Sequence, residues 1–600
     1  MRVPSARVRL TTAAAAVVVA GGLSSTAMTY HGSGSPTPAS GSSVVKASVF
    51  TPQLKEIGQV NLSALAKSQH LTQVTRHLQG ARLSRAEIRA AASRFREADN
   101  AILSHRPKGT AGGAPDAATT ALSTQNVKGE FGFSALGGVQ QASTTGGVDL
   151  EPPDQGLCAG GGYVMEFVNN ALAIYDAHGS QLLAPTAATA AFLQPSTAFM
   201  SDPRCYYDAP TKRWFYQEFI VGTVSSSGQV LTPSTQFEAV SNTADPTGSY
   251  TVFSWDTTDV GRANCPCFGD YDNLGADGNG IYVTTNEFGL VSGFNGVVMY
   301  AVSKQQLETA AATGILPVVF AYRIPSDALG QAYLIAPTST PPGAKFAPNT
   351  EYFVESDSNL NADRYLMVYA LHNTAQLGTP APPKLQRTEI ASESYAFPPD
   401  ATQEPGLRPL GTAYQDPAGG LQADFNAEME PTYVGGQVYA ELDTATASGN
   451  DAVDWFIIQP KWTDGVLTAA VAHQGRVAVK GASLLYPYTA VDSSGVGYLL
   501  FSLSGPHNYP SPAYVTYNTL GPTGPVIEAT QGAVPEDSFT CYAAFVGPNY
   551  GGCRWGDYSM GAVSNGRVFM ATEMVPQGYR DTLTNWGTYV WSAPPPPVAP

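Results

Sequence analysis

The chain has 600 residues, of which 43% are hydrophobic and 13% charged, and its formal net charge at pH 7 is −16. So acidic a protein repels nucleic acid and anionic membranes, which argues against binding to polyanions. Its 30 Tyr, 24 Phe, 60 Gly and 45 Pro favour strands and turns over helices, so a large all-β architecture is predicted.

The first 27 residues have the three parts of a Sec-type signal peptide. Arg2, Arg7 and Arg9 give a basic start, residues 11–22 are apolar, and residues 25–27 are small. The apolar run is about a dozen residues long, which is too short for the ~20 residues that a membrane-spanning helix needs. We therefore expect a secreted, extracellular protein with no membrane span.

Residues 28–49 are rich in Ser, Gly and Pro and are predicted to be a disordered linker. Residues 50–106 are predicted to form a basic helical hairpin, with a first helix from about Leu62 to Leu78 and a second that opens with a capping box at Ser84 and Glu87 and runs to about Leu103. Residues 31–110 hold eleven Lys and Arg against four acidic residues, whereas residues 111–600 hold 18 against 44. The hairpin is therefore either a pro-region that covers the acidic body or an accessory pair of helices with a solvated basic face. Residues 107–144 are expected to be a linker and a first strand.

Between residues 145 and 592 the chain repeats one unit, a short strand, a tight turn and an aromatic strand. Four copies are clear, at residues 202–219, 269–288, 486–502 and 556–573, and weaker copies begin near residues 154, 346 and 430. Third strands are predicted at residues 296–302 and 365–371. Seven such units cannot bury a core alone, so a seven-bladed β-propeller is predicted, with a solenoid or sandwiches as alternatives. Residues 593–600 form a Pro-rich tail.

Six cysteines in an exported chain indicate disulfides. Cys541 and Cys553 bracket a loop rich in Gly and Asn and are predicted to pair with each other. The pairing of the other four stays open, except that Cys265 and Cys267 are expected to be too close in sequence to bridge.

The hairpins at residues 202–219, 269–288 and 554–573, with the segment 241–250, resemble large secreted bacterial proteins of the sialidase-like (BNR-type) β-propeller group. The resemblance covers residues 145–592 and implies the fold. The Asp-box of that group is not met, because Ser241, Asp245, Gly248 and Tyr250 fall at the wrong intervals. Sialidases also grip a carboxylate with three arginines, for which Arg204, Arg262 and Arg554 are available. The resemblance is therefore taken to imply the fold and not the activity.

Carboxylates recur at fixed positions of the repeat. The second strand ends in Glu in six of seven units, namely Glu166, Glu218, Glu287, Glu355, Glu441 and Glu573. Four units place an Asp near the start of the first strand, namely Asp154, Asp202, Asp270 and Asp557. In a hairpin the start of one strand lies beside the end of the next, so Asp270 is expected to approach Glu287, and Asp557 to approach Glu573.

Two interpretations of these carboxylates stay open. Because they recur, they are expected to be struts that accept hydrogen bonds from backbone amides or Tyr hydroxyls. In the alternative, a few of them divide acid and base roles on a glycosidic bond. The catalytic candidates are Asp270, Glu287, Asp557 and Glu573, and the substrate-binding candidates are Asp154, Asp202, Arg204, Arg554 and Trp555. A crowded acidic ring would also suit Ca²⁺, for which no ligands are assigned.

The first functional hypothesis is a secreted propeller that binds or hydrolyses extracellular carbohydrate, with the carboxylates at the channel mouth as its catalysts. The alternative is a non-catalytic binding or adhesion propeller, and a structural surface protein is the third hypothesis. The expected partner is a carbohydrate or another cell-surface ligand rather than nucleic acid, and the protein is expected to be a monomer.

Overall fold

Seven mainly antiparallel sheets make up the fold of the residues that the structure describes, with three two-stranded ribbons beside them. The computed structural model describes residues 43–69, 120–225, 227–325, 332–356, 363–416, 418–423, 429–546, 552–576 and 582–597. Each sheet has four or five strands, and the sheets follow one another along the chain. The predicted seven-bladed β-propeller is therefore confirmed. Among the described residues no helix is both long and apolar enough to cross a bilayer.

The blades are numbered in chain order, and each is given from its inner to its outer strand. Blade 1 contains Gln155–Gly160, Tyr163–Val168, Ala171–Asp176 and Gln181–Ala187. Blade 2 contains Met200–Asp208, Arg213–Ile220, Thr235–Ser241 and Ser249–Asp256. Blade 3 contains Cys267–Ala276, Gly280–Gly289, Phe294–Ser303 and Val319–Arg323. Blade 4 contains Ala336–Pro337, Thr350–Ser356, Asp363–His372 and Lys384–Tyr395.

The remaining three blades complete the ring. Blade 5 contains Thr432–Val434, Gln437–Ala445, Asp451–Ile458 and Val471–Val477. Blade 6 contains Ser483–Val491, Gly497–Gly505, Asn508–Asn518 and Gly521–Glu528. Blade 7 contains Met560–Ser564, Arg567–Met574 and Gly587–Ala593, and its outer strand is Phe131–Gly137 from the other end of the chain. This pairing closes the ring.

Helices and short ribbons occupy the loops. The helices are Leu62–Ser68, Gly138–Thr144, Ala188–Ala191, Lys304–Thr313, Pro409–Tyr414 and Ala543–Val546, with 3₁₀ turns at Thr374–Gln376 and Phe539–Cys541. The ribbons pair Thr223–Val224 with Val230–Thr232, Lys461–Thr463 with Val466–Thr468, and Gly420–Leu421 with Gly552–Cys553.

Apolar side chains are buried between neighbouring blades. The inner strand of blade 1 is buried at every residue, whereas its outer strand has exposed and buried positions. Between blades 1 and 2 the rings of Phe167 and Tyr216 lie 5.2 Å apart between centroids. Similar clusters fill the other interfaces. A single blade would leave these faces in water, which explains why the units fold as a ring.

Residues 43–69 and 120–137 form an N-terminal belt on the outer edges of the blades. Ser43–Val44, Ser48–Phe50 and Lys55–Asn61 add a fifth strand to blades 4, 3 and 2 in turn. The helix Leu62–Ser68 follows, and Leu122–Ser123 then adds to blade 6. The belt thus forms hydrogen bonds with backbone N–H and C=O groups of the outer strands, which would otherwise be open to pairing with another chain.

The N-terminal region differs from the sequence prediction. Residues 43–61 contain three strands, so the disordered linker predicted for residues 28–49 is wrong from residue 43 onward, as is the helical assignment of residues 50–61. The helix Leu62–Ser68 begins where the first helix of the hairpin was predicted to begin. The helix predicted at residues 84–103 and the signal peptide lie outside the described residues. Because the described part of the basic segment pairs with blade edges, it does not cover the channel mouth. The predicted third strands of blades 3 and 4 are confirmed. The inner strand of blade 4 begins at Ala336 rather than near residue 346.

Three disulfides join the six cysteines. Cys541 pairs with Cys553, as predicted. Cys158 pairs with Cys205, which ties the inner strand of blade 1 to that of blade 2. Cys265 pairs with Cys267, so the expectation that they are too close to bridge is wrong, because the turn sets their Cα atoms 4.5 Å apart, within bridging distance.

Candidate functional site

The ring brings the four repeated aspartates to one place. Asp154, Asp202, Asp270 and Asp557 belong to blades 1, 2, 3 and 7, which are consecutive around the ring, and each lies at or just before the start of an inner strand. All four line one cavity of about 60 Å³ at this end of the channel, here called the acidic cavity. Its lining holds five carboxyl groups and one guanidinium. The sequence-predicted acidic mouth is therefore present as a geometric feature.

Backbone bulges aim these side chains inward. The inner strands of blades 2 and 3 break register just after they begin, between residues 201 and 204 and between residues 270 and 273. Asp202 and Tyr271 at these bulges have positive φ angles of 56° and 52°. A bulge inserts an unpaired residue and bends the strand, which turns the neighbouring side chains to a new direction.

Asp202 connects three blades through the hydrogen bonds that its carboxylate accepts. Its Oδ1 accepts a hydrogen bond from the Ser201 hydroxyl at 2.7 Å. Its Oδ2 accepts from the Tyr271 amide at 3.2 Å and from the Tyr558 hydroxyl at 3.0 Å. These donors belong to blades 2, 3 and 7, so Asp202 lines the acidic cavity but has a positioning role in its wall.

Asp154 and Asp270 each have one buried oxygen without a hydrogen-bond partner among the described residues. Oδ2 of Asp154 accepts from the Asn169 side-chain amide at 2.8 Å, while its Oδ1 and the Oδ2 of Asp270 have no hydrogen-bond partner among the described residues. Burial raises the pKa of Asp154 well above its ordinary value, and the charges of Asp557 and Asp202 raise it further. Burial and the same two charges also raise the pKa of Asp270. Both side chains are therefore more readily protonated than exposed aspartates.

Among the described residues that line the cavity, Arg554 alone carries a positive charge. It forms an ion pair with Asp557, three residues along the chain, in which both side chains are largely buried. The Arg554 guanidinium therefore balances the charge of Asp557, while Asp154 and Asp270 have no ion pair within the described ranges.

Apolar side chains surround the carboxyl groups. Phe219, Phe268 and Tyr271 line the cavity and are almost fully buried, whereas Phe199 on its rim is 36% exposed. An aromatic rim around convergent polar groups is the usual composition of a small-molecule site.

Sequence reasoning missed two groups at this site. Glu151 lines the cavity, and its Oε2 accepts from the Thr540 amide at 3.1 Å. Burial and the neighbouring charge of Glu536 raise the pKa of Glu151 well above its ordinary value. Asn169 also lines the cavity and orients Asp154. Glu151 stands three residues before Asp154 in the same loop, which was a usable signal, whereas nothing local in the sequence marks Glu536 as its neighbour.

Glu287 and Glu573 do not line the acidic cavity. Asp270 lies opposite Asn286 in the ladder, and Glu287 lies opposite Gly269. Since neighbouring residues of a strand face opposite sides, the expected approach of Asp270 to Glu287 is wrong. Glu573 accepts from the Gln155 side-chain amide of blade 1 at 3.0 Å, and the charge of Asp557 acts on its carboxyl group, in line with the expected approach of Asp557 to Glu573. Burial raises the pKa of Glu287 to about 7 and that of Glu573 to about 8.

Other recurrent glutamates are buried struts, in agreement with the first interpretation. Glu166 accepts from the Leu136 amide and the Thr588 hydroxyl, both in blade 7. Glu355 accepts from the Tyr333 amide and the Tyr369 hydroxyl. Glu166 and Glu355 therefore hold strands and loops together, whereas neither oxygen of the buried Glu218 has a hydrogen-bond partner among the described residues.

Two predicted substrate-binding residues lie away from the cavity surface. Arg204 is 1% exposed, pairs with Glu430 at 3.2 Å, and stacks over the Tyr558 ring at 3.4 Å from its centroid. Trp555 is fully buried, and its indole N–H donates to the Ser502 hydroxyl at 2.8 Å. A tryptophan in the core cannot stack on a sugar, so the expected role of Trp555 is wrong. Of the three candidate arginines, Arg554 alone lines the cavity.

Within the ranges that the structure describes, no three His, Cys, Asp or Glu side chains are placed to hold one metal ion.

Comparisons with known proteins find likeness of fold. No family model and no curated protein matches the chain. Among solved structures, an exo-β-1,3-galactanase of Clostridium thermocellum is similar over 76% of this chain and 95% of its own, with 9% identity and a TM-score of 0.27. The sialidase of Trypanosoma rangeli is similar over 78% of this chain and 59% of its own, with 10% identity and a TM-score of 0.29. The GH43_1 enzyme of Xanthomonas citri is similar over 64% of this chain and 93% of its own, with 12% identity and a TM-score of 0.26. At such values the likeness carries no argument about activity.

Proposed function

We propose that the protein is a secreted glycoside hydrolase that acts on extracellular carbohydrate with the carboxyl groups of the acidic cavity. One observation carries this proposal: a carboxyl group with a raised pKa, Asp154, shares the cavity with Asp557, whose charge is balanced by Arg554. Hydrolysis of a glycosidic bond needs one carboxylic acid and one carboxylate, and their environments must hold them in different protonation states.

The roles follow from the contacts. Asp154 is the proton donor to the leaving oxygen, because its Oδ1 is unpartnered and Asn169 fixes its other oxygen. Asp557 is the carboxylate that acts as base or nucleophile beside Arg554. Asp270 accepts a hydrogen bond from a sugar hydroxyl through its unpartnered Oδ2.

The rim suits a sugar. Carbohydrates present C–H groups on one face and hydroxyls on their edges, which match an aromatic wall and a set of acceptors respectively. Phe199 offers such a wall at the opening, next to the aspartates.

The test is hydrolysis of a panel of α- and β-linked oligosaccharides by the wild type and by Asp154→Asn and Asp557→Asn. Each change should lower kcat roughly 10²–10⁴-fold, the usual contribution of one positioned acid or base. Glu287→Gln is the matched control, because it makes the same carboxyl-to-amide change at a buried residue outside the cavity. Undiminished turnover in Asp154→Asn would refute the assignment of the proton donor.

The second candidate is a non-catalytic binding propeller, and the size of the cavity favours it. A volume of about 60 Å³ is far below the roughly 300–1,000 Å³ of ordinary small-molecule sites, so the cavity admits a substituent of a sugar rather than its whole ring. Binding of a glycan in an array without turnover of the same glycan would establish this alternative, provided that Asp270→Asn abolishes the binding.

A further inference from the structure

A second group of buried oxygens lies between blades 2 and 3, behind the wall of the acidic cavity. Glu238, Gln217 and Gln236 on blade 2 and Asp272 on blade 3 are all fully buried, and none of them lines the acidic cavity. We call these four residues the interblade cluster.

The ladder places the blade 2 members on one face of the sheet. Gln217 lies directly opposite Glu238, and Gln236 stands two residues before Glu238 on the same strand. Directly opposite residues and residues two apart share a face. Asp272 reaches this face from the bulge in the inner strand of blade 3, where Tyr271 has a φ of 52°.

The two glutamines orient the cluster. Their amide groups both donate to Oδ2 of Asp272, from Gln217 at 3.2 Å and from Gln236 at 2.7 Å. Because both NH₂ groups donate to Asp272, the oxygen of each amide points away from Oδ2 of Asp272. Both amide oxygens are buried and have no partner among the described residues.

Five buried oxygens of the interblade cluster have no hydrogen-bond partner among the described residues. They are both carboxyl oxygens of Glu238, Oδ1 of Asp272 and the side-chain amide oxygens of the two glutamines. A buried acceptor without a donor costs about 1–3 kcal/mol, and a charged one costs more. Arg204, whose charge acts on Asp272, is paired with Glu430. Carboxylate and amide oxygens are the ligands that Ca²⁺ prefers.

We propose that the interblade cluster binds one Ca²⁺ ion through Glu238, Asp272 and the side-chain oxygens of Gln217 and Gln236. The site would consist of two carboxyl groups and two side-chain amides, all of them fully buried. Because Asp272 is two residues from Asp270 on the same bulge, the ion would also hold the wall of the acidic cavity in place.

The first experiment uses the full-length wild-type protein. It is dialysed against EDTA and then titrated with Ca²⁺ alone, in the absence of any glycan. We expect about one Ca²⁺ per chain by isothermal titration calorimetry, and an increase in Tm of roughly 3 °C or more at a concentration one hundred times the Kd. No binding of Ca²⁺ and no change in Tm would overturn the proposal.

The second experiment locates the ion. Glu238→Gln with Asp272→Asn should abolish both the binding and the increase in Tm, whereas Glu287→Gln, a buried carboxyl outside the cluster, should retain them. Equal Ca²⁺ binding by the double variant and the wild type would also overturn the proposal. Should the double variant fail to fold, Gln236→Leu, which removes one ligand without changing the charge, should weaken the binding at least about tenfold, and unchanged affinity would count against the site.

Discussion

Replacement of Glu166 by Gln tests how the ring is closed. Glu166 lies in the second strand of blade 1 and is fully buried. Its oxygens accept from the Leu136 amide at 3.1 Å and from the Thr588 hydroxyl, both in blade 7. Gln can keep both contacts, because its oxygen accepts from the amide and its NH₂ donates to the hydroxyl oxygen. The substitution therefore removes the ionisation and retains the geometry.

The magnitude follows from the pKa. Burial raises the pKa of Glu166 from 4.5 to about 7. The folded protein thus binds this proton more tightly than the unfolded chain, so the resulting stability is present below pH 4.5 and is lost as the pH rises through 7. One pKa unit corresponds to about 1.36 kcal/mol. The free energy of unfolding of the wild type should therefore fall by roughly 2–3 kcal/mol between pH 5 and pH 8, and that of Glu166→Gln should not show this decrease.

The assay is urea unfolding of the wild type and Glu166→Gln at pH 5 and pH 8. The difference in free energy of unfolding between the two proteins should change by roughly 2–3 kcal/mol from pH 5 to pH 8, in favour of the variant. Glu56→Gln, the same change at an exposed residue of the belt, serves as the control and should show no such difference. A Glu166→Gln difference that is the same at both pH values would refute the reasoning.

Three further predictions concern the packing of the blades. Replacement of both Cys158 and Cys205 by Ser removes a cross-link that closes a loop of 47 residues. Chain entropy predicts that the free energy of unfolding, measured with denaturant, falls by about 4 kcal/mol. Gly156→Ala should lower Tm, because its Cβ would meet a carbonyl oxygen of blade 2 at 2.6 Å, and a cost of roughly 1–3 kcal/mol is expected. Trp555→Phe should cost roughly 1–3 kcal/mol by leaving Ser502 without its donor, with glycan binding unchanged. Weakened glycan binding by folded Trp555→Phe would return this residue to the site.

Local sequence patterns predicted most of the fold. Each hairpin carries its own strand, turn and aromatic strand, so its existence does not depend on distant residues. The positions of Asp154, Asp202, Asp270 and Asp557 at strand starts were visible for the same reason. Since the inner strands of a propeller begin at one end of the channel, the repeat itself implied that these carboxyl groups meet.

What the sequence determined by itself was the repeat, the blade number and the acidic mouth, because these depend on contacts within one hairpin or on its regular copying. The tertiary structure alone decided which way side chains face and which distant segments pair. Strand register sets Asp270 opposite Asn286 rather than Glu287, and burial between blades hides Trp555, because pairing and packing are settled only when strands and neighbouring sheets meet. The belt strand Lys55–Asn61 likewise forms on the outer edge of blade 2, an edge that exists only once the sheet of blade 2 has formed.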